Sequence, residues 1–260
     1  KVLAAIDNLA ASGAQGFVIC PPDTRLGPGI MAKARLNNLK VIAVDDQFLG
    51  ADGKPMANVP YIGIAATKIG EDVGVALLDE MKRRGWSPAD TAISAVTQDQ
   101  LTTTKQRTDA SIRKLIALGY PESQIHRAPV RSADIPGAFE AMNSVLAKSP
   151  NVKHWLICGF NDNAVLGAVR ALEGRGYPAE SSVGIGIDGI DCIPELEKAN
   201  ATSFYGSMLL QTRLHSYDAA LHLYHWIKDG VEPPLDTRTS AVLITRDNFR
   251  EVLHEQGFRD

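Results

Sequence analysis

Asp45 and Asp46 close the run Val41-Ile42-Ala43-Val44-Asp45-Asp46-Gln47-Phe48, where an apolar strand pattern ends in two adjacent carboxylates. Ionised carboxylates only accept hydrogen bonds, so a pair at this place suits the donors of a ligand. The arrangement recurs. His154 to Phe160 ends in Asn161-Asp162-Asn163, and Val183 to Ile187 ends in Asp188-Gly189 with Asp191 close behind. After Thr91 to Thr97 the chain enters a helical stretch carrying Thr103 and Arg107, four apart and on one face. Asn both donates and accepts, Asp accepts, and Arg donates through a rigid fork. That mixture suits a neutral polyhydroxylated ligand, whose every hydroxyl donates and accepts. A phosphate fits poorly, because the carboxylates would repel it.

Each residue also has a plain structural explanation. Asp45-Asp46 and Asp188-Gly189 are turn signals, and Asn161 is a natural helix N-cap. Arg107 shares its stretch with Lys105, Arg113 and Lys114, as a solvated helix charge would. Recurrence at the ends of successive strands favours binding, since open α/β sheets hold ligands beyond the carboxyl ends of their strands.

Catalytic alternatives are thin. There is no Gly-x-Ser-x-Gly elbow, P-loop or paired-His metal motif. Gly184-Ile185-Gly186 lies inside a strand pattern and lacks the helix-opening glycine of a dinucleotide site. His126, His154 and His254 are scattered, while His215, His222 and His225 fall on one helix, where His222 and His225 are polar-face residues beside Tyr224 and Trp226. Neither a metal nor a cofactor is expected, and an enzyme is the least favoured class.

The elements that must position these groups alternate. Strand patterns run over Gly16 to Cys20, Val41 to Asp45, Tyr61 to Ile64, Thr91 to Thr97, His126 to Val130, His154 to Phe160, Val183 to Asp188, Phe204 to Met208 and Ala241 to Thr245. Helical spacing appears in Lys1 to Gly13, in Ile69, Val73, Leu77 and Met81, in Ile112, Leu115 and Ile116, and in Ala138, Met142 and Val145. This predicts an α/β fold of parallel sheets with helices on both faces. Pro233-Pro234 is expected to stop the helix carrying His225 and Trp226, and the late strand with the helix from Asp247 to Gln256 returns the chain to an earlier sheet.

The chain has 260 residues, enough for one large domain or two of ordinary size, with 45% hydrophobic and 22% charged residues and a net charge of −3. That balance gives no electrostatic footprint for nucleic acid. No apolar stretch is long enough to span a bilayer. Cys20, Cys158 and Cys192 lack metal spacing and are odd in number, so buried free thiols are expected. The start at Lys1, without Met or a signal peptide, suggests a processed, trimmed or incomplete chain.

Several stretches resemble the bacterial periplasmic arabinose-binding receptors, a family of sugar-binding proteins that serve ABC transporters. They are Ala10 to Cys20, Lys40 to Phe48, Ala65 to Glu71, Asp134 to Phe139, Lys153 to Ile157 and Val242 to Phe249, in register along the whole chain. The resemblance implies a type I periplasmic binding fold, two doubly wound parallel-sheet lobes joined by a three-segment hinge and closing over a monosaccharide. The lobes would be 1–64 with 211–240, and 65–210 with 241–260. It implies no cofactor, no catalysis, a periplasmic location and a membrane permease as partner. Asp46 would accept from the anomeric hydroxyl with Asp45 beside it, and Thr103, Arg107, Asn161 and Asp188 would supply the second lobe's contacts. Cys20, Ile64, Leu101, Phe160 and Asp191 would line or back the pocket.

The chain also departs from the family pattern. Asp188 stands where arabinose receptors have Asn, and Ile64 and Phe160 stand where they have Met, changes that bear on size and epimer selectivity. The first strand, helix and second strand of the family have no counterpart, which leaves the Gly16 to Cys20 strand as an open edge. An open apolar edge invites pairing with a second copy, so a homo-oligomer is expected. Two other readings share the fold: a descendant that has lost sugar binding and acts through its exposed edge or on another ligand, and the effector-binding lobes of a sugar-responsive repressor. No helix-turn-helix or basic patch supports the last.

Overall fold

The computed structural model describes residues 1–258 and divides the chain into two compact units, Lys1–Ala65 with Gln211–Thr239, and Ala66–Leu210 with Ser240–Asp260. The backbone therefore passes from one unit to the other three times, after Ala65, Leu210 and Thr239.

Unit 1 opens with helix α1 (Val2–Ala11), strand β1 (Gly16–Ile19), α2 (Gly27–Leu36), β2 (Lys40–Val44) and β3 (Tyr61–Ile64). The chain then builds most of unit 2: α3 (Ala66–Arg83), β4 (Thr91–Thr97), α4 (Thr102–Ala117), β5 (Ile125–Pro129), α5 (Ile135–Lys148), β6 (His154–Gly159), α6 (Asp162–Gly174), β7 (Ser182–Asp188), α7 (Ile193–Leu196) and β8 (Phe204–Leu210). It returns to unit 1 for α8 (Thr212–Asp229) and β9 (Asp236–Thr239), and ends in unit 2 with β10 (Ala241–Thr245) and α9 (Phe249–Glu255).

Unit 1 holds a parallel sheet of order β1-β2-β3-β9, and unit 2 a sheet of order β10-β8-β7-β6-β4-β5 in which only β10 runs antiparallel, on β8. β4, paired in parallel on both sides, is buried at every position, its apolar Ala92, Ile93, Ala95 and Val96 interleaved with the small polar Thr91, Ser94 and Thr97. Around them Trp155, Phe160, Phe204 and Phe249 anchor the unit 2 core, each such side chain contributing roughly 1.5–3 kcal/mol through burial. In unit 1, Ile6, Ile30 and Phe48 cover one face of the sheet, while Ala219, Leu223 and Trp226 of α8 pack against Ile42 and Ile62 on the other.

Local chemistry sets the helix ends. Asp134 caps α5 by accepting from Gly137 N at 2.8 Å, with Pro136 in the first turn. The end of α8 differs from the sequence expectation: Gly230 at φ 71 terminates it before the prolines are reached, with Val231 N donating to His225 O. A left-handed glycine turns the chain away at no steric cost, so Pro233 and Pro234 only stiffen the connection to β9.

Strand β9 was not among the expected strands. Its sequence, Asp-Thr-Arg-Thr, has no apolar residue because it lies at a sheet edge with β3 on one side only. β1 is the opposite edge, with Val18 exposed. No helix among the described residues is long and apolar enough to cross a membrane.

Candidate ligand-binding site

In unit 1 the carboxyl ends of β1, β2 and β3 carry Cys20, Asp45-Asp46 and Ile64. The β2–β3 ladder continues one residue past β2, since Asp45 N donates to Ile62 O at 3.0 Å. The backbone then turns sharply: Asp45 has φ 65, and Asp46 N donates back to Val44 O at 2.9 Å. Asp is one of the few non-glycine types that enter this left-handed region readily, so the residue type needed for accepting also permits the turn. The Asp45 side chain stays 56% exposed. Its Oδ1 lies 3.4 Å from Nδ1 of the buried His215 on α8, whose Nε2 bonds the Thr239 hydroxyl.

Cys20 is exposed, which corrects the expectation of a buried thiol, whereas Cys158 and Cys192 are buried and all three are free. It lies just past the last residue of an edge strand. Partial desolvation and then the charges of Asp45 and Asp46 push its thiol above the usual range, which keeps it protonated beside the carboxylates. Ile64 is buried at the end of β3.

In unit 2 the decisive residue is Arg107. Its side chain is only 12% exposed, so it is not a solvated helix charge. Nη1 donates to Phe160 O at 2.7 Å and stands 3.3 Å from Asp188 Oδ1, while Nε is buried with no hydrogen-bond partner. A buried guanidinium N–H without an acceptor is costly, and an oxygen-bearing ligand would satisfy it. Thr103 lies one turn earlier on α4 and is half-buried, and Leu101 is exposed at the N-cap position.

Asn161 caps α6, its Oδ1 accepting from Ala164 N at 2.9 Å. The cap uses the amide's oxygen, which is the structural reading of this residue, and leaves the nitrogen's donors out of the helix. The Phe160 side chain belongs to the hydrophobic core, and its contribution to Arg107 is the backbone carbonyl. Asp191 accepts from Asn163 Nδ2 at 2.8 Å.

Two residues that position this half were not singled out from the sequence. Asp162 is fully buried, and it accepts from Gly189 N at 3.0 Å, Cys192 N at 3.1 Å and the Ser207 hydroxyl. It thereby ties the end of β7 and the loop after it, which carry Asp188 (φ 120) and Asp191, to the first turn of α6. Burial pushes its carboxyl up to about 7. The second is Gly70 on α3. A Cβ there would overlap the carbonyl oxygen of Arg107, so α3 and α4 approach closely at the residue that carries the guanidinium. An Asp between Asn161 and Asn163 at a strand end was the available signal for the first, whereas nothing local marks the second.

The candidate residues thus fall into two sets, carboxylates in unit 1 and a guanidinium, amide and carboxylate in unit 2. Among the described residues no group of three or more His, Cys, Asp or Glu side chains is placed to hold a metal ion.

Residues 1–252 match the family model of periplasmic binding proteins and the sugar binding domain of the LacI family. The chain is 55% identical over 258 residues to the L-arabinose-binding periplasmic protein of Escherichia coli (strain K12), covering 99% of this chain and 78% of that one. It is 47% identical to the ABC transporter L-arabinose-binding periplasmic protein of Azospirillum brasilense, again over 258 residues, with 99% and 77% covered. Among solved structures, a periplasmic solute-binding protein from Actinobacillus succinogenes with bound D-allose superposes with TM-score 0.77 at 19% identity, over 96% of this chain and 85% of that one. A periplasmic ribose ABC transporter protein from Conexibacter woesei gives 0.78 at 16% identity, over 97% and 80%. With a family model spanning nearly its whole length and relatives of this identity, the chain belongs to the periplasmic binding proteins, the family that includes the sugar-binding domain of LacI-type repressors.

Proposed function

We propose that this protein is a periplasmic receptor that binds one monosaccharide, arabinose-like or galactose-like, and delivers it to the permease of an ABC transporter. The observation that carries the reading is the half-buried Arg107, with Nη1 held between Phe160 O and Asp188 and a buried Nε that has no hydrogen-bond partner in the protein. A guanidinium held in this way suits a neutral oxygen such as a sugar ring oxygen or hydroxyl. The Asp45 and Asp46 carboxylates of unit 1 supply acceptors for sugar hydroxyls, and Thr103, Asn161 and Asp188 supply the mixed contacts of unit 2. The names of the two close relatives support arabinose. Asp188, a pure acceptor, favours a sugar that presents a hydroxyl donor at that position.

Calorimetric titration with L-arabinose, D-galactose, D-fucose, D-xylose and D-ribose tests the reading. Heat and saturation with one of them are expected, and absence of heat and of thermal shift with all five overturns it.

A second reading concerns self-association. β1 is an edge strand with Val18 exposed, and α8 of the same unit exposes Tyr217, Leu221 and Tyr224 at helical spacing. We propose that this chain pairs with a second copy through that edge. A concentration-independent monomer mass in sedimentation equilibrium overturns it.

A further inference from the structure

Strand β3 has a feature that the ligand set does not absorb. Tyr61 and Gly63 are two residues apart, so they face the same side of the sheet. A Cβ on Gly63 would overlap the Tyr61 hydroxyl and Cζ. The ring therefore lies along its own strand, in the space a side chain at 63 would occupy, pointing toward the carboxyl end. There its hydroxyl donates to Asp45 O at 2.6 Å.

The ring is fixed from the other side as well. The Arg238 guanidinium of β9 lies 5.5 Å from the Tyr61 ring centroid and is itself held by Asp236, with Nε 2.9 Å from Oδ1. Arg238 Nη2 also reaches Gln47 Oε1 at 3.4 Å, so the same group touches both the ring and the segment after Asp46. Tyr61 is buried, and desolvation pushes its phenol up to about 12, so it remains a donor at all ordinary pH values.

We propose that Tyr61 is a positioning residue for the paired carboxylates: it holds the left-handed Asp45 backbone through the carbonyl, and Gly63 is the cleared space that lets it reach. A positive φ at a non-glycine residue persists where the surrounding structure over-determines it. Three hydrogen bonds do so here: Asp45 N to Ile62 O, Asp46 N to Val44 O, and Tyr61 to Asp45 O. Only the last comes from a side chain, and only it can be removed without disturbing the ladder. The ligand role of the carboxylates rests on the sugar-receptor reading above, but the positioning of the turn does not.

Hydrogen exchange of the Asp45 and Asp46 amides in the sugar-free protein, together with L-arabinose titration, tests the proposal. Tyr61→Phe is expected to speed exchange at these two amides about fivefold to tenfold, as loss of one hydrogen bond implies. The Ile157 and Cys158 amides of unit 2 are the control and should not change. L-Arabinose affinity should fall by a similar factor. Gly63→Ala should reproduce both effects in the Tyr61 background and add nothing once Tyr61→Leu has emptied the space. Unchanged exchange at Asp45 and Asp46 in Tyr61→Phe overturns the proposal, as does a Gly63→Ala effect that persists with Tyr61→Leu. If the turn loosens while the parent protein takes up no sugar, the positioning stands and the receptor reading falls.

Discussion

Arg107 and Asp188 are 81 residues apart in sequence, yet Nη1 of the first stands 3.3 Å from Oδ1 of the second. The contact joins α4 to the end of β7 and partly neutralises two charges that would otherwise be costly to hold half-buried. It also leaves Arg107 Nε aimed at no protein acceptor.

Replacing Arg107 by lysine should therefore be damaging although the charge is kept. Lysine presents a point charge without a fork, so it cannot serve Phe160 O, Asp188 and a ligand oxygen in a fixed plane. Sugar affinity is expected to fall at least about tenfold, in line with about 1.5–3 kcal/mol for a hydrogen bond to a charged group. Calorimetry on the folded variant checks this, and an affinity within twofold of the parent would remove Arg107 from the ligand set.

Asp46→Asn and Asp45→Asn should separate ligand binding from folding. Asparagine tolerates the left-handed region as aspartate does, so the thermal midpoint should move little. Loss of a charge-assisted acceptor at Asp46 should weaken sugar binding by about 1.5–3 kcal/mol. Equal affinity in parent and Asp46→Asn would show that Asp46 does not touch the ligand.

Asp162 makes stability depend on pH. Its folded-state pKa is raised, so the fold favours the protonated form. The stabilisation is complete below the unfolded-state value and is lost as pH rises through about 7. Asp162→Asn can still accept from Gly189 N and Cys192 N with its oxygen and donate to Ser207, without a buried charge. Thermal midpoints of the parent should fall between pH 5 and pH 8 relative to those of Asp162→Asn. Parallel curves for the two proteins would contradict this assignment.

Gly70→Ala should act at a distance. The added methyl meets the Arg107 carbonyl and, at 3.0 Å, the Ala110 Cβ, so α4 must move away from α3. Overpacking of this kind costs about 1–3 kcal/mol, and α4 carries Thr103 and Arg107 with it. Both the thermal midpoint and the sugar affinity should fall. A stability loss with unchanged affinity would show that α4 relaxes without displacing the guanidinium.

Much of this was legible from local pattern. Apolar strand runs ending in Asp45-Asp46, Asn161 and Asp188, with helical spacing between them, are consequences of period and residue type, and they placed those groups at the carboxyl ends of strands. The four-residue spacing of Thr103 and Arg107 put both on one helix face. β9 escaped because an edge strand of Asp, Thr, Arg and Thr carries no apolar signal, and its pairing with β3 is what makes it a strand.

What the sequence by itself determined was the set of chemical groups and the element that presents each one, because both depend on neighbours a few residues away. Only the tertiary structure decided which groups are buried and which meet. The meeting of Arg107 with Asp188, the exposure of Cys20, the latch from Asp162 to Gly189 and the Tyr61 bond to Asp45 all depend on sheet order and on how closely helices approach. Those are set by packing between distant segments, and no local spacing encodes them.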